Sequence, residues 1–234
     1  AQQFHPQECN MKILVFDDNA SHRAAAEAQL KDHDITVVGT YDEAQELLTP
    51  QLDYEKARGT LEKQFGDFNP YRSDDEAKKT EYFAAEKAAK ERATTYPDFD
   101  VVLSDLLVPA SRQAQGPDGL ALVGKEMPVG IFIGLLAAVR ARAKYVAIFT
   151  DSDHHSHPAS ACFDAFNRDG GGESSPTAFT VEGSKVLLSN TRNWVEKFDP
   201  QDLSKVLKYE EYSKRSDTVR AKNWAALLDY LVSL

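Results

Sequence analysis

Short apolar segments alternate with helix-forming segments along the chain, and this alternation constrains the fold more than any other feature. The apolar segments cover residues 12–16, 35–38, 99–105, 145–149 and 185–188. Their hydrophobicity is continuous rather than alternating, which is typical of strands buried on both faces of a parallel sheet. Strands separated by helices indicate a doubly wound α/β fold. The sequence therefore predicts a mainly parallel five-stranded sheet with helices on both faces.

A long charged stretch interrupts the alternation between the second and third predicted strands. It is bounded by Pro50 and Pro97, and charges of both signs are mixed along it. Gly and Pro residues near its middle separate two helix-forming parts, at 52–65 and 73–93. We therefore predict that residues 51–97 form a helical hairpin inserted into the α/β domain.

The rest of the chain is predicted to be one domain covering residues 11–234. Residues 1–10 precede a natural start at Met11, and we expect them to be an extension or an expression remnant. Residues 191–234 are predicted to form C-terminal helices. The last of these has an apolar face that requires a packing partner, with residues at i, i+3, i+4 and i+7. This face consists of Trp224, Leu227, Leu228 and Leu231.

The charge balance excludes some classes of function. Lys and Arg total 27 against 37 Asp and Glu, so the net charge is −10. Such a chain has no overall attraction for nucleic acid or for anionic membranes, and we expect neither as a partner. Cys9 and Cys162 cannot supply a disulfide framework or a Cys-rich zinc site. We expect a cytoplasmic protein.

Acidic residues follow two of the predicted strands. Asp17 and Asp18 come directly after the first strand, and Asp105 ends the third. In an open parallel sheet the functional crevice lies at the carboxyl ends of the strands. Carboxylates gathered there repel one another unless a cation compensates, and hard oxygen ligands suit Mg²⁺. Thr150, after the fourth strand, adds a hydroxyl to the same edge, which indicates a site for phosphoryl transfer.

These segments resemble the signature segments of a response regulator receiver domain. They are Val15 to Asn19, Leu103 to Pro109 and Ile148 to Thr150, in the family's order, over residues 11–50 and 98–190. The resemblance implies a flavodoxin-like fold and makes Asp105 the phosphoacceptor. It implies that Asp17, Asp18, Asp105 and the backbone carbonyl of Leu107 hold Mg²⁺, and that Thr150 is the switch hydroxyl. The insertion makes the match atypical.

The resemblance also implies partners. A receiver domain is a phosphoprotein of two-component signal transduction, and a histidine kinase or a phosphotransfer protein of a phosphorelay supplies its phosphoryl group. Only about forty residues follow the last predicted strand, which is too few for a DNA-binding output domain. We therefore expect a stand-alone regulator that acts through protein–protein contacts, with a downstream target that the sequence does not name.

One residue of the family pattern is missing at its usual place. The family has a Lys at the end of its fifth strand, where it pairs with the phosphoryl group. This chain has Ser189, Asn190, Thr191 and Arg192 there, while Lys185 lies at the opposite end of that strand. Arg192 is the only nearby substitute, and Arg and Lys are not equivalent. From this departure we expect slow phosphorylation.

Three other interpretations remain at this point. The chain is a pseudo-receiver, a binding or scaffold module with the same fold and no phosphorylation, which the missing Lys favours. It is a Mg²⁺-dependent phosphohydrolase, although no general base is evident, so we do not expect an enzyme beyond phosphoacceptor and autodephosphorylation chemistry. In the plainest interpretation, Asp17 and Asp18 only cap the following helix.

A second polar cluster follows Thr150. It contains Asp151, Asp153, His154, His155 and His157. Imidazole and carboxylate groups are suitable ligands for transition metals. We interpret the cluster instead as a solvated polar loop, because its histidine content is its only sign of a site.

Overall fold

The computed structural model describes residues 10–113, 116–152, 155, 157–163, 166, 176–190 and 194–234. The chain forms two compact units. The first contains the chain up to Leu48 and from Asp98 to Leu234, and the second is the stretch Thr49–Pro97.

The strands are numbered in chain order. They are β1 (Lys12–Phe16), β2 (Asp34–Val38), β3 (Gln51–Leu52), β4 (Thr94–Thr95), β5 (Val101–Asp105), β6 (Val108–Pro109), β7 (Glu126–Met127), β8 (Tyr145–Phe149), β9 (Thr177–Val181), β10 (Ser184–Ser189), β11 (Val195–Asp199), β12 (Asp202–Val206) and β13 (Val219–Lys222).

The helices are numbered in the same way. They are α1 (Ala20–Gln29), α2 (Tyr41–Leu48), α3 (Tyr54–Phe65), α4 (Glu76–Ala93), α5 (Pro117–Leu120), α6 (Gly130–Leu136), α7 (Pro158–Phe163), α8 (Tyr209–Tyr212) and α9 (Trp224–Ser233). A π-helical turn, Ala137–Ala141, extends α6.

The central sheet of the first unit has the strand order β2-β1-β5-β8-β10-β9. Neighbouring strands from β2 to β10 are parallel, as predicted for an α/β fold, and β9 is antiparallel to β10. The sequence predicted five strands, whereas the sheet has six, because β9 is an additional edge strand. Strand β9 is joined to β10 by Glu182 and Gly183, whose φ angles are +49° and +90°. Such a two-residue turn is typical of a tight hairpin, and it adds a strand without a crossover helix.

Two apolar clusters cover the two faces of this sheet. Ile13 and Val15 of β1 belong to a cluster with α1 and α9, whereas Leu14 and Phe16 pack with α2 and α6. Alternate residues of a strand point to opposite faces, so β1 is buried on both sides. Burial on both faces explains the continuous apolar segments of the sequence.

Local signals place the two helices nearest the carboxyl ends of β1 and β2. The Asn19 side chain accepts a hydrogen bond from the Ser21 N–H and caps α1. Thr40 and Glu43 form a capping box at the start of α2, each side chain accepting from the backbone N–H of the other. These caps hold the loops that begin with Asp17 and Gly39.

The C-terminal segment corrects the prediction of helices over 191–234. Between Val195 and Lys222 the chain forms an antiparallel sheet with the order β12-β11-β13, and only α8 and α9 are helical within the described part of this segment. The strands carry charged residues such as Glu196, Lys197 and Arg220, which hide the strand pattern. Phe198 and Ala221 are buried in the cluster of α1 and α9, so packing on α1 decides the structure.

The region between β5 and β8 also differs from expectation. The sequence of residues 119–126 indicates a helix, but α5 is one turn long and is followed by β7, which pairs with β6. The sequence also indicates a helix over 130–142, and this helix is present as α6 and its π-helical turn. Arg142 ends it in a left-handed conformation with φ of +60°.

The second unit contains α3 and α4, which pack against each other, and the strand pair β3–β4. Asp53 and Asp75 cap the two helices, each through a side-chain oxygen that accepts a backbone N–H. Aromatic rings pack together where the loop after α3 meets α4. They belong to Phe65, Phe68, Tyr71, Tyr82 and Phe83.

Within the described residues, no helix combines the length and the apolar composition that are needed to cross a membrane.

The second unit is expected to be removable. All residues of the two apolar clusters lie outside 49–97, and Gln51 pairs with Thr95, so the ends of the stretch are close. A chain with residues 49–97 replaced by a short Gly-Ser linker should therefore keep cooperative thermal unfolding, measured by near-ultraviolet circular dichroism. Aggregation or gradual unfolding of this variant, with the full chain as control, would contradict the assignment of the core to the first unit.

Candidate active site

The acidic residues converge because their strands are neighbours. Strand β1 lies beside β5, with Phe16 opposite Ser104, so Asp17 and Asp105 leave the sheet at the same edge. One carboxylate oxygen from each of Asp17, Asp18 and Asp105 lies within 4.8 Å of the others. The structure thus brings together the three acids that the sequence selected.

A lysine that the sequence analysis missed lies between two of these acids. The Nζ atom of Lys222 is 2.7 Å from Oδ2 of Asp17 and 2.8 Å from Oδ1 of Asp105. Its side chain is fully buried, with the ammonium group near the rings of Phe149 and Trp224. The expectation that the site lacks a lysine is therefore wrong. This cation comes from β13 and not from the end of the fifth strand. Arg192, the substitute that the sequence suggested, lies outside the described residues.

The position of Lys222 follows from the small C-terminal sheet and α9. Lys222 pairs with Val195 of β11, and its backbone carbonyl accepts a hydrogen bond from the Gln29 side chain on α1. Asn223 then caps α9, whose apolar face is buried. In the sequence, Lys222 stands two residues before a helix with an apolar face, but no strand pattern marks the lysine itself as buried.

Charge and burial compete in the pair of Lys222 and Asp105. Burial alone would lower the pKa of Lys222, but Asp105 and Asp17 outweigh it and hold that pKa above its usual range. Burial raises the pKa of Asp105, against the opposing effect of Lys222. Lys222 is thus a fixed positive charge, whereas the charge of Asp105 depends on what else occupies the site.

The loop after β1 is held by its own hydrogen bonds. Asp17 Oδ1 accepts from the Asn19 N–H at 2.9 Å, and the Arg23 side chain donates to the backbone carbonyls of Asp17 and Asp18. Asp17 is buried, whereas Asp18 is exposed at the edge of the site. Partial desolvation and the charge of Asp17 raise the pKa of Asp18. An additional positive charge would therefore be stabilised beside Asp18.

Helix α6 packs directly against the backbone of Asp105. A Cβ atom at Gly130 would lie 1.6 Å from the carbonyl oxygen of Asp105, so only glycine fits there. Ser104 donates its hydroxyl to the carbonyls of Asp105 and Gly130. The Leu106 N–H donates to Asp105 Oδ1 at 2.8 Å. These contacts fix the carboxyl end of β5.

A cavity of about 380 Å³ opens beside the acids. Its lining is made of Asp18, Asn19, His22, Asp105, Leu107, Pro109, Gly124, Glu126 and Asp151. Thr150 is buried at the end of β8, and its hydroxyl accepts a hydrogen bond from the Ser152 N–H. Leu107 is buried in the cavity wall.

Asp151 belongs to the cavity, which corrects its interpretation as part of a solvated loop. One of its carboxylate oxygens is 3.7 Å from Nε2 of His22 and 3.3 Å from the Arg220 guanidinium. The contact with His22, with the charges of Lys222 and Arg220, holds the pKa of Asp151 well below its usual range. Sequence reasoning selected neither His22 nor Arg220.

The histidines of the following loop are only partly described. His157 accepts a hydrogen bond from the Ala159 N–H at the start of α7, and His155 is exposed. Asp153 and His154 lie outside the described residues. In the part of the chain that the structure describes, Asp17, Asp18 and Asp105 are the only group of three or more acidic, His or Cys side chains that could share a metal.

No family model, curated protein or solved structure matches this chain.

Replacing Lys222 tests the buried ion pairs. A Lys222→Met protein leaves Asp17 and Asp105 buried without their cation, and its free energy of unfolding should fall by about 3–5 kcal/mol. Urea denaturation measures this loss. Lys222→Met combined with Asp105→Asn should recover part of it, since one of the two carboxylate charges is removed.

The matched control is Lys144→Met, at an exposed lysine of the same unit. It should stay within about 0.5 kcal/mol of the unaltered protein. A Lys222→Met protein as stable as this control would contradict the account.

The ionised form of Asp151 should contribute to stability. Asp151→Asn removes the negative charge that faces His22 and Arg220. The free energy of unfolding should therefore fall by about 1–3 kcal/mol at pH 7. Because folding lowers the pKa of Asp151, this contribution is fully present above its unfolded pKa and is lost as the pH falls below about 4. The difference between the two proteins in urea denaturation should therefore shrink from pH 7 to pH 3. A difference that stays constant, with exposed Asp118→Asn as control, would contradict this assignment.

Proposed function

We propose that this chain is a response-regulator-like receiver that accepts a phosphoryl group on Asp105 and acts through protein–protein contacts. The observation that carries the proposal is the position of Lys222, with its ammonium group between Asp17 and Asp105. The sequence supplied the acids of a receiver but not its lysine. Lys222 supplies that lysine from a different part of the chain.

The topology supports the same proposal. Taken in chain order, the five parallel strands β1, β2, β5, β8 and β10 lie in the spatial order 2-1-3-4-5. That is the order of flavodoxin-like folds, in which ligands bind at the carboxyl ends of the strands, where the strand order reverses. The reversal here falls between β1 and β5, where Asp17 and Asp105 lie. We therefore assign the fold to the flavodoxin-like, receiver type.

The donor set fits Mg²⁺. Asp17, Asp18 and Asp105 offer oxygen ligands alone, and Lys222 is a single positive charge against these three carboxylates. We propose that they hold the ion together with the backbone carbonyl of Leu107. When bound, Mg²⁺ neutralises charge on the transferred phosphoryl oxygens.

The contacts of Asp105 suggest which atom reacts. Both Lys222 and the Leu106 N–H bind Oδ1, so we assign Oδ2 as the nucleophile. In the transfer, Oδ2 attacks phosphorus, the bond from phosphorus to the donor nitrogen or oxygen breaks, and its electron pair leaves with the donor. Phosphohistidine on a histidine kinase or phosphotransfer protein, or a small acyl phosphate, is such a donor.

Lys222 and Thr150 would connect transfer to a change of shape. A phosphoryl group on Asp105 carries more negative charge than the carboxylate, so Lys222 would exchange part of its contact with Asp17 for a phosphoryl oxygen. Thr150 lies at the adjacent strand end, and its hydroxyl would follow the same group. The hydrogen bond that the Thr150 hydroxyl now accepts from the Ser152 N–H would then break. The loop after β8 would move as a result.

The hypothesis of a pseudo-receiver rested on a missing lysine, and Lys222 removes that argument. The hypothesis of a Mg²⁺-dependent phosphohydrolase required a general base, which the sequence analysis did not find. His22 and Asp151 line the same cavity as Asp105, but the ring nitrogen Nδ1 of His22 is buried and does not open into it.

Phosphorylation by acetyl phosphate tests the proposal. With Mg²⁺ present, acid quenching followed by intact mass measurement should show one added phosphoryl group. Asp105→Asn should show none. Lys222→Met loses a charge-assisted hydrogen bond of about 1.5–3 kcal/mol, so its rate should fall roughly ten- to a hundred-fold.

Lys144→Met again serves as the matched control and should react at the rate of the unaltered protein. An adduct that persists in Asp105→Asn would place the phosphoryl group elsewhere. A rate unchanged in Lys222→Met would remove the lysine from the mechanism.

A further inference from the structure

Arg23 of α1 holds the backbone of both acids that follow β1. Its Nη1 atom donates hydrogen bonds to the carbonyl oxygen of Asp17 at 2.8 Å and to that of Asp18 at 2.6 Å. Hydrogen bonds from a charged donor are stronger than those between neutral groups. In addition, the Asp17 N–H donates to the carbonyl of Val38 at 3.2 Å. The peptide groups around Asp17 and Asp18 are thus fixed by α1 and by the end of β2.

Gly39 leaves the space that the Arg23 guanidinium occupies. A Cβ atom at Gly39 would lie 2.9 Å from Nη1 and 3.1 Å from Cζ of Arg23, which is closer than a van der Waals contact. Gly39 is not among the glycines with a positive φ angle, so its backbone conformation does not require glycine. The contact with Arg23 is therefore the reason that a side chain does not fit there.

Glu43 completes the surroundings of Arg23. Its carboxylate accepts hydrogen bonds from the backbone N–H groups of Gly39 and Thr40 at 3.3 Å and 3.1 Å. The Thr40 hydroxyl, these N–H groups and the charge of Arg23 hold the pKa of Glu43 below its usual range. The loops after β1 and β2 therefore support each other through Arg23, Gly39 and Glu43.

The two acids depend on this support to different extents. Asp17 is buried, and its carboxylate is bound by Lys222 and by the Asn19 N–H. Asp18 is exposed, so burial does not fix its side chain, and its carboxylate lies where the backbone of the loop directs it. Groups behind the ligands of a metal orient them, and the loss of such a group lowers metal affinity about 10–100-fold.

We propose that Arg23 is a positioning residue that orients Asp18 as a ligand of Mg²⁺, and that Gly39 provides the space for it. This inference rests on the proposed Mg²⁺ site and adds two residues that do not touch the ion. Orientation and charge have opposite effects here. The positive charge of Arg23 repels Mg²⁺, so a residue that acted through its charge alone would weaken binding. A residue that orients Asp18 strengthens it.

The affinity for Mg²⁺ tests the proposal. Mg²⁺ alone is titrated into the unaltered protein, Arg23→Met, Arg23→Lys and Gly39→Ala, and amide NMR follows the signals of residues 17–19 and 105–107. Arg23→Met should raise the Kd for Mg²⁺ about ten-fold or more, although it removes a repelling charge. Gly39→Ala keeps the charge but displaces the guanidinium, so it should raise the Kd as well. Arg23→Lys retains a charged donor and should recover part of the affinity.

Arg140→Met and Gly59→Ala are the matched controls. Arg140 is an exposed arginine of the same unit, and a Cβ atom at Gly59 would meet nothing within 4 Å. Circular dichroism shows whether each protein is folded before the titration. Both control proteins should bind Mg²⁺ with the affinity of the unaltered protein.

Failure of the inference differs from failure of the proposed function. A Kd in Arg23→Met that equals or falls below that of the unaltered protein would overturn the role of Arg23, with the Mg²⁺ site intact. Absence of Mg²⁺ binding in the unaltered protein would overturn the proposed site itself. If Arg23→Met does not fold, Gly39→Ala decides, because it keeps the arginine, and an unchanged Kd in that protein would overturn the inference.

Discussion

The ammonium group of Lys222, buried between Asp17 and Asp105, is the interaction on which the candidate site depends. Each of these three groups would be costly to bury alone, and together they offset one another's desolvation. The Lys222 side chain is fully buried, so a flexible lysine on the surface could not take its place. Strand β13 has to hold the backbone of Lys222 beside the acids. The C-terminal sheet and α9 are therefore part of the site and not an appendage to the α/β domain.

Strand β13 supplies positive charge to both sides of the cavity. Arg220 and Lys222 are two positions apart on the strand and therefore point to the same side of it. Arg220 contacts Asp151, while Lys222 contacts Asp17 and Asp105. Strand β13 thus neutralises Asp17 and Asp105, at the ends of β1 and β5, and also Asp151 after β8. The phosphoacceptor side and the histidine side of the cavity share this support, so a shift of β13 would disturb both at once.

The sequence predicted those parts of the structure that depend on local pattern. Continuous apolar runs located the parallel strands, and the acids at their ends converged because neighbouring strands share an edge. Lys222 could not be found in this way, because it contacts Asp17 from 205 residues away and its strand, Val-Arg-Ala-Lys, has no strong apolar signal. Strand β9 was missed for a similar reason, since most of its residues are exposed at the sheet edge.

The distance along the chain between Asp17 and Lys222 also has a consequence for biosynthesis. The acids are made first, whereas their counter-charge, Lys222, follows Asp17 only after 205 further residues. Until β13 has been translated and has paired with β11, the carboxyl edge of the nascent sheet holds unneutralised carboxylates that oppose its compaction. Domains generally fold as units as they leave the ribosome, but this one cannot complete its core before β13 has been made. A truncated translation product would therefore carry the phosphoacceptor without the charge that makes its burial tolerable.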